Sequence, residues 1–134
     1  MKRVLFMIAA LTIAFSGRGF GALGDTEDQI ADLFGKPTQE GFPDKRGITT
    51  NVYQKGNYTI LVQFLRRLSL AESYTRTDKR DFSEGEIAAL LEGSGNELKW
   101  IKNPDKLQWE REDHKARAWF ETVKGRPTVL IQAH

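Results

Sequence analysis

His114 and His134 are the only imidazoles in this chain of 134 residues, which has no cysteine, so the chemistry open to it is narrow. Thiolate nucleophiles are excluded, and a serine triad would need one of the two histidines as its base. His134 ends the sequence and is expected to fray. His114 lies in EREDHK, which spells a hairpin tip with solvated charges, and no G-x-S-x-G elbow accompanies it. Alternate residues of a strand share a side, so Glu110, Glu112 and His114, with Asp113 beside them, could hold a divalent cation loosely. A charged strand facing solvent has the same alternation, and no fourth ligand is evident. Phosphate loops, dinucleotide fingerprints, C-x-x-C and H-E-x-x-H are missing. Carboxylates with His114 leave a small hydrolase or metal-dependent enzyme as the alternative function. No catalytic residue, metal ligand or cofactor is assigned.

Recognition chemistry is better represented. Arg66, Arg67, Arg76, Lys79 and Arg80 form the one local basic run, and its arginines suit bidentate contacts. Glu72, Asp78 and Asp81 are interleaved with it, as on a solvated face. Trp100, Trp109 and Trp119 all fall in the second half, and Tyr53 and Tyr74 lie on expected strands of the first. Such rings either fill a core or form a partner surface of the Trp, Tyr and Arg kind. Strand parity bears on the choice: Trp109 shares a side with Leu107, whereas Trp119 opposes Ala118 and Phe120, so one of Trp119 and Phe120 must point away from the core. The candidate binding residues are therefore Trp109, Trp119, Tyr53, Tyr74, Arg66 and Arg67.

Charge and export narrow the class of partner. Lys2 and Arg3 precede the apolar run Val4 to Phe15, and the small-residue stretch SGRGFGALG follows before Asp25. This pattern predicts a secretory leader over residues 1–24, with the cut after Gly24 favoured and a cut after Gly21 the alternative. Twelve apolar residues fall short of the roughly 20 that a spanning helix needs, so no stable membrane anchor is expected after cleavage. Removing the leader deletes Lys2, Arg3 and Arg18 and no acid, which leaves 17 basic against 18 acidic residues. A domain this near neutrality has no global field to draw in nucleic acid. The expected partner is another envelope or secreted protein, and no oligomeric state is implied.

The elements that must position these residues begin with TEDQIADLFG, Thr26 to Gly35, which returns in degenerate form as SEGEIAALLEG at Ser83 to Gly93. Thr26 with Gln29, and Ser83 with Glu86, match the capping box, and Ile30, Leu33, Phe34 and Ile87, Leu90, Leu91 make matching apolar stripes. Gly35 and Gly93 are expected to close these helices in the left-handed conformation. Strands are predicted at 48–54, 58–65 and 68–75, then at 98–102, 107–112, 116–123 and 128–133, with a polar boundary over 75–81. The expected fold is a single α+β domain over 25–134: two short helices packed on antiparallel meander sheet, as a tandem helix-plus-strands repeat with halves 25–77 and 78–134.

The residues Thr26, Glu27, Ile30, Leu33, Gly35, Lys36 and Pro37, followed by Tyr53 and the strand Tyr58 to Phe64, resemble the small periplasmic modules of the SmpA/OmlA (BamE) family. Tandem copying of helix plus meander resembles the beta-lactamase-inhibitor-protein-like fold. The resemblance implies an envelope-facing module that binds other proteins or scaffolds an assembly, and it transfers no functional residue. The lipoprotein cysteine typical of the first family is missing, and Leu65-Arg66-Arg67 stands where its Asn/Asp-Gly turn is usual.

Overall fold

The computed structural model describes residues 23–95 and 97–134; the apolar run of the leader, Gly19 and Gly21 lie outside the described residues. Thr26 and Ser83 open helices α1 (Glu27–Phe34) and α2 (Glu84–Ser94). Both capping boxes form. The Gln29 N–H donates to Thr26 Oγ1 at 3.2 Å while the Thr26 N–H donates to Gln29 Oε1 at 2.8 Å. Ser83 and Glu86 repeat the exchange at 3.0 and 3.1 Å. Each helix thereby satisfies donors that its first turn would otherwise leave bare. No described helix is long and apolar enough to cross a membrane.

Seven strands follow the predicted segments to within a few residues: β1 (Ile48–Lys55), β2 (Tyr58–Leu65), β3 (Leu68–Arg76), β4 (Trp100–Lys102), β5 (Gln108–Arg111), β6 (Ala116–Val123) and β7 (Arg126–Ala133). They pair antiparallel in the order β1-β2-β3-β7-β6-β5-β4. In β2, Ile60, Val62 and Phe64 are buried and Leu61 between them is exposed, as a half-covered sheet requires. Tyr53, Asn51, Tyr74, Glu72, Val129, Ile131 and Ala118 share the buried face with them through the register. The core gathers on that face with Ile30 and Phe34 of α1 and Ile87, Leu90 and Leu91 of α2.

This architecture corrects the expected fold class. The described residues form one continuous, strand-dominated sheet with two helices, and the fold is not plainly a tandem helix-plus-strands repeat. The segment 75–81 is no boundary: Arg76 pairs with Tyr58 in β2 and bonds Glu86 in α2, and β3 runs beside β7 from Ala71 to Thr75. The parts before and after it are also unequal, with three strands and then four. Gly93 does not cap α2 but lies buried inside it, and Gly95, which follows the helix, has a negative φ.

Both ends of the sheet are modest templates for further pairing. Residues 38–41 run beside β1, where the Thr38 N–H donates to Val52 O at 2.7 Å and the Val52 N–H to Gln39 O at 2.8 Å. Gly41 permits this approach, since a Cβ there would lie 2.4 Å from Thr50 O. At the other edge β4 has only three residues. The start of β3 has its own neighbour: the Gly24 N–H donates to Ser69 O at 2.9 Å, the Ser69 N–H to Asp25 O at 2.8 Å, and Thr26 bridges to Leu68. Leu23 and Gly24, inside the leader range read from sequence, are therefore part of the fold.

One carboxylate joins the second helix to the β2–β3 hairpin. Glu86 Oε1 closes the capping box, and its Oε2 accepts from Tyr58 Oη at 2.7 Å and from Arg76 Nη1. Arg76 also forks onto Asp78 at 2.9 and 2.7 Å. Burial, then the hydrogen bond to Glu86, pushes the Tyr58 hydroxyl up to about 12. Glutamine satisfies a capping box too, so Glu86→Gln retains the cap and removes the charge that Arg76 meets. This variant is expected to lose about 1–3 kcal/mol in chemical unfolding. Ser83→Ala, which removes the cap alone, is expected to lose about 1 kcal/mol.

Candidate functional site

The face of the sheet opposite the helices carries its side chains in cross-strand rows. One row runs Val52, Leu61, Ser73, Leu130, Trp119, Gln108 through directly paired positions on six strands. It is apolar except for Ser73 and the terminal Gln108. The row on one side reads Thr50, Gln63, Ala71, Gln132, Arg117, Glu110, Ile101, and the row on the other reads Gln54, Thr59, Thr75, Thr128, Glu121. The result is an apolar stripe between largely polar rows. Leu61, within the stripe, is 38% exposed.

Trp119 is the stripe's largest side chain, and its own strand holds it. Its Nε1–H donates to Glu121 Oε1 at 2.5 Å, and the Arg117 guanidinium lies 5.3 Å over its ring. Residues i−2 and i+2 on a strand share a face, which puts a cation and an acceptor beside the indole. Trp119 is also a wall of two concavities. A recess of about 160 Å³ lies in the stripe among Leu61, Ala71, Ser73, Leu130 and Gln132. A wide, open groove of about 760 Å³ extends toward the β4 edge past Gln108, Glu110, His114 and Ile101.

Of the residues singled out from sequence, Trp119 is the one the stripe contains. Trp109 lies on the helix side, paired with Ala118 and packed against the core, although it also reaches the wide groove. Tyr53 and Tyr74 are 1% and 0% exposed and are core residues. Arg66 and Arg67 form the β2–β3 turn with φ of 54° and 70°, the left-handed pair that a type I′ hairpin demands. Both are exposed, at the hairpin tip and not in the stripe. Glu72 and Arg76, expected on a solvated face, are instead drawn inward: Glu72 accepts from the Tyr74 hydroxyl and from Ser94 Oγ at 3.0 Å each.

The histidines meet at Glu110. His114 Nδ1 is 3.3 Å and His134 Nε2 is 3.7 Å from Glu110 Oε2. His134 is not frayed, because its backbone N–H donates to Lys115 O at 3.0 Å. Among the described residues, no group of three or more His, Asp or Glu side chains is arranged to hold a metal ion. The turn carrying His114 is fixed by Arg111, whose Nε and Nη2 donate to Asp113 at 2.9 and 3.0 Å. Residues that parity alone missed are Leu61, Leu130 and Val52. Each sits opposite its buried neighbours in an alternating strand, but only the pairing of β3 with β7 joins them into one stripe.

No protein-family model matches the chain, and no curated protein resembles it in sequence. Among solved structures it is similar to a cysteine-rich secretory protein from Staphylococcus aureus at 15% identity, covering 83% of this chain and 44% of that one, with a TM-score of 0.48. It is also similar to a DUF4309 family protein from Bacillus subtilis at 13% identity, covering 82% and 79% of the respective chains, with a TM-score of 0.45. Likenesses this distant leave function to the geometry of the face itself.

The Arg111 fork, helped by the Lys115 N–H, holds the Asp113 carboxyl down to about 2, from a usual value of 3.8. A depressed carboxyl stabilises the fold above its unfolded-state value, and that contribution is lost as pH falls through the folded-state value. Unfolding midpoints should therefore drop between pH 3.8 and about 2. Asp113→Asn should lack this component and keep the part due to Asp78, which Arg76 holds down in the same sense.

Proposed function

We propose that this chain is an exported, non-catalytic module that binds another envelope or secreted protein through the open face of its sheet, without a cofactor. The observation that carries the proposal is the in-register stripe Val52, Leu61, Leu130 and Trp119 between polar rows. An apolar centre with a polar rim is the usual anatomy of a protein interface, and a tryptophan at the centre is its usual anchor. Trp119 is already oriented by Arg117 and Glu121, so binding would not have to order it. The leader-like N-terminus supports the setting, as does the resemblance of residues 26–64 to envelope modules. The near balance of charge beyond residue 24 gives nucleic acid no electrostatic motive to bind.

The rival reading, a small hydrolase or metal-dependent enzyme using carboxylates and His114, has the meeting of His114 and His134 at Glu110 in its favour. Those three side chains are exposed on a wide groove. Water there weakens the electrostatic stabilisation that catalysis would need.

The proposal is tested by capture from envelope and secreted fractions with the immobilised exported chain, beside Trp119→Ala and Ala89→Glu. Ala89 is exposed on α2, on the other side of the molecule. One protein should be retained by the wild type and by Ala89→Glu and weakened about 30-fold or more by Trp119→Ala, as for an interface anchor worth at least about 2 kcal/mol. Retention indifferent to Trp119→Ala would contradict it.

A further inference from the structure

We propose that the groove between α2 and the β4–β5 hairpin binds a small soluble organic cation bearing an alkylated ammonium group. The groove has a volume of about 510 Å³ and lies on the helical side of the sheet, apart from the outer stripe. Two of its walls are indoles. Trp100 on β4 pairs with Arg111 and Trp109 on β5 pairs with Lys102, so the two tryptophans are diagonal neighbours on one side of the hairpin. Both are half-buried, and each keeps part of its surface in the groove.

The helix holds the first indole in place. The Trp100 Nε1–H donates to Leu91 O at 2.7 Å, in the last turn of α2. Gly95 makes room for the ring, since a Cβ there would lie 2.7 Å from Trp100 Nε1. Buried Leu91 supplies apolar surface on the helix side, and exposed Ala88 stands one turn before Glu92. A longer side chain at position 88 would suit the helix as well, but it would occupy the groove.

Three sources make the groove electronegative: the carbonyl end of α2, Glu92 in its last turn, and Glu97 just beyond. A carboxylate in a last turn opposes the helix dipole, and α2 has no basic residue there to offset it. Among the described residues, Lys99 is the one cation on the lining. The other cations of the hairpin are engaged elsewhere. Arg111 forks onto Asp113, and Lys102 Nζ donates to the carbonyls of Asn103 and Lys106 at 3.1 and 3.2 Å. The groove therefore favours a cation, and the indoles decide its kind. Their faces attract an ammonium ion and bury its methyl groups at the same time. A hard metal ion needs a cage of several oxygen ligands, which two exposed carboxylates do not make.

The test is a titration of the exported chain with choline and with dimethylbutanol, its neutral isostere, followed by the indole N–H resonances of the three tryptophans. Choline should bind saturably, shifting the signals of Trp100 and Trp109 and leaving that of Trp119 in place. Dimethylbutanol should bind about 10-fold more weakly or worse, because it lacks the charge. Ala88→Leu should fill the groove and weaken choline about 10-fold or more at an unchanged unfolding midpoint. Glu92→Gln should weaken choline several-fold while raising the midpoint, as expected of a carboxylate placed for a ligand and against its own helix. Equal binding of choline and its isostere, choline binding that survives Ala88→Leu, or no saturable binding at millimolar choline would overturn the proposal. Association with phosphatidylcholine vesicles but not with free choline would overturn it too, by assigning the groove to a lipid surface.

Discussion

The carboxylate of Glu86 joins three elements of this molecule. It completes the capping box of α2, accepts the Tyr58 hydroxyl from β2 and meets the Arg76 guanidinium from β3. Burial opposes its charge, and the Ser83 N–H, the Tyr58 hydroxyl and Arg76 together hold its pKa below the ordinary glutamate value. A helix start is thereby tied to a hairpin from the other side of the sequence. Phe82, immediately before the cap, stacks on Tyr58 with ring centroids 6.1 Å apart and meets Phe120 edge-on at the same distance. The helix is therefore committed to one face, and the opposite face is left to solvent.

That asymmetry decides what the sheet can do. A strand covered on one side has to place something on the other, and in β2, β6 and β7 the residues placed there are Leu61, Trp119 and Leu130. Aligned across paired strands, three isolated apolar residues become one surface. The rows of Thr, Gln and charged residues beside them keep the surface soluble and give a partner hydrogen-bonding sites around an apolar centre. Because residues 38–41 cover one edge and β4 is short at the other, the face offers recognition through side chains more readily than through the backbone of an edge strand.

Much of this was legible where the signal is local. The capping boxes at Thr26 and Ser83, the apolar stripes of both helices and most strand limits depend on neighbours within a few residues, and they stand as read. The parity of Trp119 against Ala118 and Phe120 was equally local, and it required one of Trp119 and Phe120 to face outward; the register shows that Trp119 does. What sequence could not supply was long-range pairing. The contact of β3 with β7 joins residues nearly sixty positions apart, turning two meanders into one sheet and two similar helices into unequal parts of a single fold. Tyr53 and Tyr74 looked available because their strands were known but not what covered them. Arg76 and Glu72 looked solvated because their partners, Glu86 and Ser94, lie 10 and 22 positions further along the chain. His134 looked frayed for want of knowing that Lys115 would hold it.

The central claim is that the outer face of the sheet, and not the helical face, is where this protein meets its partner. Site-specific photo-crosslinking in cells that export the chain tests it most directly, with the photoreactive residue placed at Leu61 in the stripe or at Ala89 on the exposed side of α2. A discrete protein adduct from position 61 and none from position 89 is the predicted result. An adduct from position 89 with none from position 61 would contradict the account.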